Sequence, residues 1–324
     1  MKMSQKNLFV LMFLLSTITP GFAAEKGADF PKKPIKLIVP YAAGSGMDMH
    51  ARRIAPGVGK ILGTSVVIVD KPGADGRLAL NEAWKADPDG YTLLTTGMPA
   101  PIINEKLFPV NYRFKEFTQI YSWTRENMVL VVNAETWKTP EEFLTAARNK
   151  SLSGGLSGIG SVSQVAGLLL EEAGKFKPVN WVTFGGGGET MASLAGKHIE
   201  FGITTASSAK SLVDAGKLRC LLVFSSVKDP LFPNALLPKE LGLQENMTPL
   251  VSVRLVFGPP KLPARIVAII ENAFARAAQE PDYRDWAQKA RVEIALLSHQ
   301  QCSDYVETVE KEISKYVDKI KIKK

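Results

Sequence analysis

Short apolar runs recur along the chain, each followed by a glycine or proline turn and then by a stretch with helical spacing. Lys36-Leu-Ile-Val39 predicts a strand, and a turn leads into a helix from about Asp48 to Leu62. Ser65-Val-Val-Ile-Val-Asp70 predicts a second strand, then the turn Lys71-Pro-Gly-Ala-Asp-Gly76 and a helix through Trp84. Asp87-Pro-Asp-Gly90 is a strong turn signal, with a third strand over Tyr91 to Thr95. Alternating strands and helices imply a parallel sheet with helices on its faces.

After Trp123 the pattern restarts. Met128 to Asn133 predicts a strand, and Thr139-Pro-Glu-Glu142 opens a helix with Thr as cap and Pro at its first position. Strands follow at Gly154–Ser157, Asn180–Thr183, Ile199–Ile203 and Leu218–Phe224, with helices from about Ser163, after the glycine run, and from Ser207. Leu250 to Phe257 is a strand that returns the chain to the first unit. Three helices then begin near Pro263, Pro281 and Ser298, the last amphipathic through Tyr305, Val309, Ile313 and Val317. The reading is α/β, with two doubly wound lobes. Crossings are expected near Trp123–Met128 and Leu250–Leu255, and two crossings between open sheets make a hinged cleft. Residues 24–124 with 251–324 form the expected first lobe, and 125–250 the second.

The first 23 residues read differently. Lys2 and Lys6 precede the apolar run Leu8 to Leu15, and Gly21-Phe22-Ala23 offers small residues for cleavage. The run is too short to span a bilayer, which takes roughly 20 residues. A cleaved export signal is expected, with neither a lipid-anchored cysteine near the cut nor a later membrane helix. The mature chain is then soluble, and in a bacterium periplasmic. Cys220 and Cys302 would sit in an oxidising compartment. They could pair, but Cys220 falls in a buried-looking strand and Cys302 at a helix start, so two free thiols are expected.

The 324 residues hold 45% apolar and 22% charged positions, which suits two globular domains. The formal net charge of +8 is concentrated at the ends. The leader carries two unopposed lysines, and the segment Lys311–Lys324 holds six lysines against Glu312 and Asp318. A nucleic-acid binder more often clusters basic residues and aromatics on a folded face, so the tail reads as a solvated helix end. Two cysteines cannot supply a thiolate zinc site. His50, His198 and His299 share no ligand spacing. No metal or cofactor is expected.

Glycines cluster at 44/46, 73/76, 154–160 and 185–188, each time after a strand and before a helix. In open α/β sheets ligands sit at that edge. Helix N-termini there present free amides and partial positive charge, which suits an anion. Each cluster alone could simply make a tight turn; several at equivalent places point to a site. No P-loop is present. A dinucleotide fingerprint fails because Met49 takes the place of the third glycine. No G-x-S-x-G elbow occurs, and Ser161 has no histidine partner, so it reads as a helix cap or a ligand contact. Asp48 most simply stabilises the helix start, with a direct role only toward an amine.

These residues carry a family resemblance. Pro34-Ile-Lys-Leu-Ile-Val-Pro-Tyr-Ala-Ala-Gly-Ser-Gly-Met-Asp48, Val67 to Gly76, Asp87 to Leu94, Ser157-Gly-Ile-Gly-Ser161, Phe184 to Gly188, Ala215 to Arg219 and Gly258-Pro-Pro-Lys-Leu-Pro263 resemble, in order and spacing, the substrate-binding proteins of tripartite tricarboxylate transporters, the Bug family. The resemblance implies a type II periplasmic binding-protein fold closing on a small carboxylate, a membrane permease as partner, and a monomer. It implies ligand-binding positions at Tyr41, Ala43, Gly44, Ser45, Gly46 and Asp48 in the first turn, and at Thr96 and Gly97 after the third strand. In the second lobe it implies Gly158, Ser161, Ser163, Phe184, Gly185, Thr204 and Thr205.

The chain also departs from the family pattern. Asp75 stands where glycine is usual, Gly185 where a larger, commonly basic residue is frequent, and Glu189 where proline is. Arg254, on the second crossing, is a candidate counter-charge for a second carboxylate or else a surface ion pair. Transport, ligand sensing for a signalling system, and an exported enzyme acting on a carboxylic acid are three readings; the last lacks an acid–base or nucleophile constellation. Trp123 and Trp181 would report closure if they lie near the cleft.

Overall fold

The computed structural model describes residues 30–243, 250–290 and 292–317. The leader read at 1–23 and the end of the lysine-rich tail, 318–324, lie outside the described residues. The first lobe opens with β1 (Ile35–Val39), α1 (Gly46–Leu62), β2 (Val66–Asp70), α2 (Arg77–Trp84), β3 (Thr92–Met98) and α3 (Ala100–Leu107). A long strand, β4 (Thr118–Asn133), leads into the second lobe. There follow α4 (Pro140–Asn149), β5 (Ser153–Leu156), α5 (Val162–Gly174), β6 (Asn180–Thr183), α6 (Gly187–Ala195), β7 (Phe201–Thr205), α7 (Ala206–Asp214) and β8 (Leu218–Val223). The chain ends with β9 (Val251–Gly258), α8 (Ala264–Ala277), α9 (Pro281–Lys289), β10 (Glu293–Leu297) and α10 (His299–Val317).

β1 is apolar on both faces because both are covered. Ile35, Leu37 and Val39 pack with Ala51, Ile54 and Val58 of α1 and with α8, while Ile38 joins Ala79 and Leu80 of α2 on the opposite face. This alternation is the period of two of a strand. Helix α1 starts where Ser45 accepts the Asp48 N–H (3.3 Å) and stops at Gly63, whose φ of 69° suits glycine.

The sheet is mixed rather than wholly parallel. β2, β1 and β3 run parallel, as do β6, β5 and β7. β4 is antiparallel to every strand it meets: Thr118–Asn127 lies along β9 and, in part, along β10, while Met128–Asn133 lies along β7 and β8. Because β9 is antiparallel to both β3 and β4, β4 keeps the direction of β3 after α3, and β9 is the strand that runs the other way between them. The second crossing is expected at Leu250–Leu255, where β9 begins. The pairings of β9 are with β3 and the first part of β4, so the chain has returned by Val251.

Trp123 is a core residue, and Trp181 is a partly buried one packed against the core. Trp123 is fully buried against Phe274, and Trp181 packs on Phe201. Cys220 and Cys302 are both free thiols. No helix among the described residues is long and apolar enough to cross a membrane.

Candidate functional site

The C-terminal ends of β1, β3, β5, β6 and β7 face one cavity of about 440 Å³. From the first lobe it is lined by Tyr41, Ala43, Gly44, Ser45 and Gly46 in the turn before α1, and by Gly97 at the end of β3. From the second come Ser161 and Ser163 at the start of α5, Gly185 before α6, and Thr204 and Thr205 before α7. Arg254 reaches it from β9. The N-terminal turns of α1, α5, α6 and α7 therefore converge, and the first N–H groups of a helix have no intrahelical acceptor. Together with the helix dipole they form a surface suited to a small anion.

The hydroxyls of the second-lobe turn are largely committed to shaping it. Ser161 caps α5 by accepting the Gln164 N–H (3.3 Å) and donates to the Gly158 carbonyl (2.7 Å). Ser163 Oγ lies 2.7 Å from Ser161 Oγ and accepts the Ser157 N–H (2.9 Å). What remains for a ligand is mainly backbone N–H. In the first lobe Gly97 lets β9 approach, since a Cβ there would stand 2.4 Å from Ser252 Oγ.

Four expected positions do not line the cavity, and each has a physical reason. Asp48 is buried and turned inward: its Oδ2 accepts the Gly44 N–H (2.8 Å) and its Oδ1 pairs with Arg52 (2.5 Å). It therefore occupies one amide of the turn instead of meeting a ligand. Thr96 is buried beneath Tyr41, whose phenol it hydrogen-bonds; burial nevertheless raises the Tyr41 pKa. Gly158, at φ 140°, turns toward Asp75, and a Cβ there would fall 2.4 Å from the Asp75 carboxylate. Phe184 packs into the second-lobe core against the cluster that holds Met191 and Leu194.

Arg254 is not a surface residue: it is 2% exposed. Its Nη2 pairs with Glu126 Oε2, and Glu126 Oε1 accepts the Ser207 N–H at the start of α7. Arg254 Nε and Nη1 are buried without a partner in the structure. Behind the pair, His50 stacks edge-on against Trp286 (5.2 Å), and burial, with the Arg254 charge adding to it, holds its pKa well below the usual value. Asn127 donates to Asp229 (2.8 Å), whose pKa burial raises.

Residues that the sequence reading missed also line the cavity: Ser207 and Ser208 in the first turn of α7, Ser252 on β9, and Glu189 in α6. Ser207 and Ser208 follow directly on Thr204 and Thr205, which the resemblance implied, at the strand end before a helix where ligands sit. Ser252 at the cavity wall and Glu126 behind Arg254 carry no local signal, because only the crossing of β4 and β9 brings them there.

Several known proteins are similar. The tripartite tricarboxylate transporter family receptor pattern matches residues 50–322. A UPF0065 protein of the gbd 5′ region of Cupriavidus necator is 30% identical over 298 residues, covering 89% of this chain and 88% of that protein. BugT of Bordetella pertussis is 30% identical over 237 residues, 70% of this chain and 72% of its own. Among solved structures, MatC from Rhodopseudomonas palustris with bound malate has a TM-score of 0.78 at 27% identity, over 90% of this chain and 100% of that one. With its two-lobed α/β fold and a pattern match that runs through most of its length, the chain belongs to the tripartite tricarboxylate transporter receptor family, whose members are binding proteins rather than enzymes.

Proposed function

We propose that this chain is an exported receptor that captures a small carboxylate between its lobes and delivers it to a membrane permease of the tripartite tricarboxylate type. The observation that carries this reading is the convergence of helix N-termini from both lobes on one cavity. A carboxylate has two oxygens with about four acceptor sites, so one group can accept N–H bonds from α1 and α5 together. Closing the lobes removes water from those bonds and strengthens them. The similarity to a malate-bound relative supports a carboxylic acid as ligand. Segment 1–23 is the export signal in this reading, and the ligand-contacting set is Tyr41, Ala43–Gly46, Gly97, Ser161, Ser163, Gly185, Thr204 and Thr205. The lobes swing about the two crossing strands, β4 near Asn127 and the start of β9 at Val251.

Thermal unfolding against a panel of mono-, di- and tricarboxylates tests the proposal. A ligand at about 100 times its dissociation constant adds about 2.7 kcal/mol to stability. At least one acid is expected to raise the melting temperature in a concentration-dependent way. A panel in which none does contradicts the reading.

A further inference from the structure

We propose that Glu126 is a built-in counter-anion that limits the ligand to a single negative charge. The cleft then selects a monocarboxylate with a neutral, hydrogen-bonding remainder over a dicarboxylate. This rests on the carboxylate reading above and narrows it.

The argument is a charge balance. Among the described residues, the charged side chains lining the cavity are Arg254 and Glu189. Arg254 is already paired with Glu126, and the same carboxylate takes the Ser207 N–H of α7. Both residues are buried, at 2% and 7% exposure. The charge of the one cation of the wall is therefore balanced by the protein itself, although Arg254 Nε and Nη1 keep no partner, and one N–H at the start of α7 is taken. In the turn ahead of α6, Glu189 accepts the Gly185 N–H (2.9 Å) and so already places a carboxylate there. In α1 the carboxylate of Asp48 is balanced by Arg52 and faces away from the cavity. α5 begins with neutral Ser161.

One ligand carboxylate therefore finds free amides at α1 and α5. A second would meet Glu189, or an arginine whose charge is already spent, and a buried charge without a partner is strongly disfavoured. The rest of the wall suits neutral polar groups. Ser207 Oγ is buried without a partner at the floor, 3.3 Å from where a Gly46 Cβ would be, and Ser208 and Ser252 stand beside it.

The test compares matched ligands on the full chain by titration calorimetry: succinate with succinamate, glutarate with glutaramate, and malate with its half-amides, alongside glycerate and lactate. Each half-amide keeps the shape of its diacid and removes one charge. The half-amides and hydroxy-monocarboxylates are expected to bind about tenfold or more tighter than the diacids. Diacids that bind as tightly or more tightly overturn this inference while leaving the carboxylate reading standing. A panel in which no acid binds overturns both. The variant Glu126→Gln frees Arg254, and is expected to shift the diacid-to-half-amide ratio about tenfold toward the diacid; an unchanged ratio overturns the inference. Should that variant fail to fold, the wild-type comparison decides alone.

Discussion

Asp75 occupies a left-handed conformation (φ 52°, ψ 39°) in a short turn that favours glycine, asparagine or aspartate. Its carboxylate reaches from the first lobe to the Gly158–Ile159 peptide of the second. Beside it, Asn104 of α3 donates to the Asp75 carbonyl (2.9 Å), and the Asn104 Oδ1 would lie 2.5 Å from a Cβ at Gly160. The departure from glycine noted at this turn is thus a contact between lobes. Burial raises the Asp75 pKa, against the pull of Arg77 and the Ile159 N–H. An acid with a raised folded-state pKa favours the folded state below its unfolded value, and that contribution is lost as pH rises through the folded one. Asp75→Asn keeps an acceptor for Ile159, tolerates the positive φ and removes the charge. Its melting temperature is expected to exceed the wild type's at neutral pH, and its stability to fall less as pH rises through the carboxylate range. Melting curves across that range check this; a variant less stable at neutral pH with an unchanged slope contradicts it.

At the scale of elements, helix caps are where sequence and structure agree most closely. Thr139 accepts the Glu142 N–H (3.3 Å) at the start of α4, as the Thr-Pro-Glu-Glu signal predicts. None of the α4 residues lines the cleft, so Thr139→Ala is expected to cost about 1 kcal/mol in urea unfolding while leaving ligand affinity unchanged. β6 likewise falls on the predicted Asn180–Thr183. The failures have physical causes. The first part of β4 is invisible to apolar alternation because Gln119, Ser122, Thr124, Glu126 and Asn127 are polar and yet buried. Gln119 and Ser122 hydrogen-bond the C-terminal elements, and Glu126 and Asn127 pair with Arg254 and Asp229 at the crossing, so polar residues interleave with buried Ile120, Tyr121 and Trp123. α3 is masked by Pro99 and Pro101, which read as breakers although proline is tolerated in a first helical turn. β10 is short and has only half-buried or exposed positions, so its apolar residues give no clear face. For the candidate site, the glycine turns were legible because glycine marks a strand end followed by a helix. The Glu126–Arg254 pair was not, since its members are 128 residues apart and only the crossed strands bring them together.

For the whole molecule the account is one of two lobes with a shared apolar core and a polar cleft. One cluster of buried side chains runs from Ile102 and Ile103 in the first lobe to Val162, Val165 and Phe143 in the second, so the lobes touch outside the hinge strands too. On the proposed reading, closure brings α1 toward α7 across the cavity. Gly46 faces α7 closely: a Cβ there would lie 3.3 Å from Ser207 Oγ and 3.7 Å from Arg254 Nη2. Gly46→Leu is expected to leave the fold intact, with a ligand-free melting temperature close to wild type, and to abolish ligand-induced stabilisation. A full ligand shift in that variant contradicts a cleft that closes at this point. The central claim, that amides of both lobes grip one carboxylate, is tested most directly by hydrogen exchange with and without a bound acid. The account predicts that protection rises together in segments 43–49 and 159–165, the starts of α1 and α5. Protection confined to one lobe, or appearing elsewhere while both segments exchange unchanged, would contradict it.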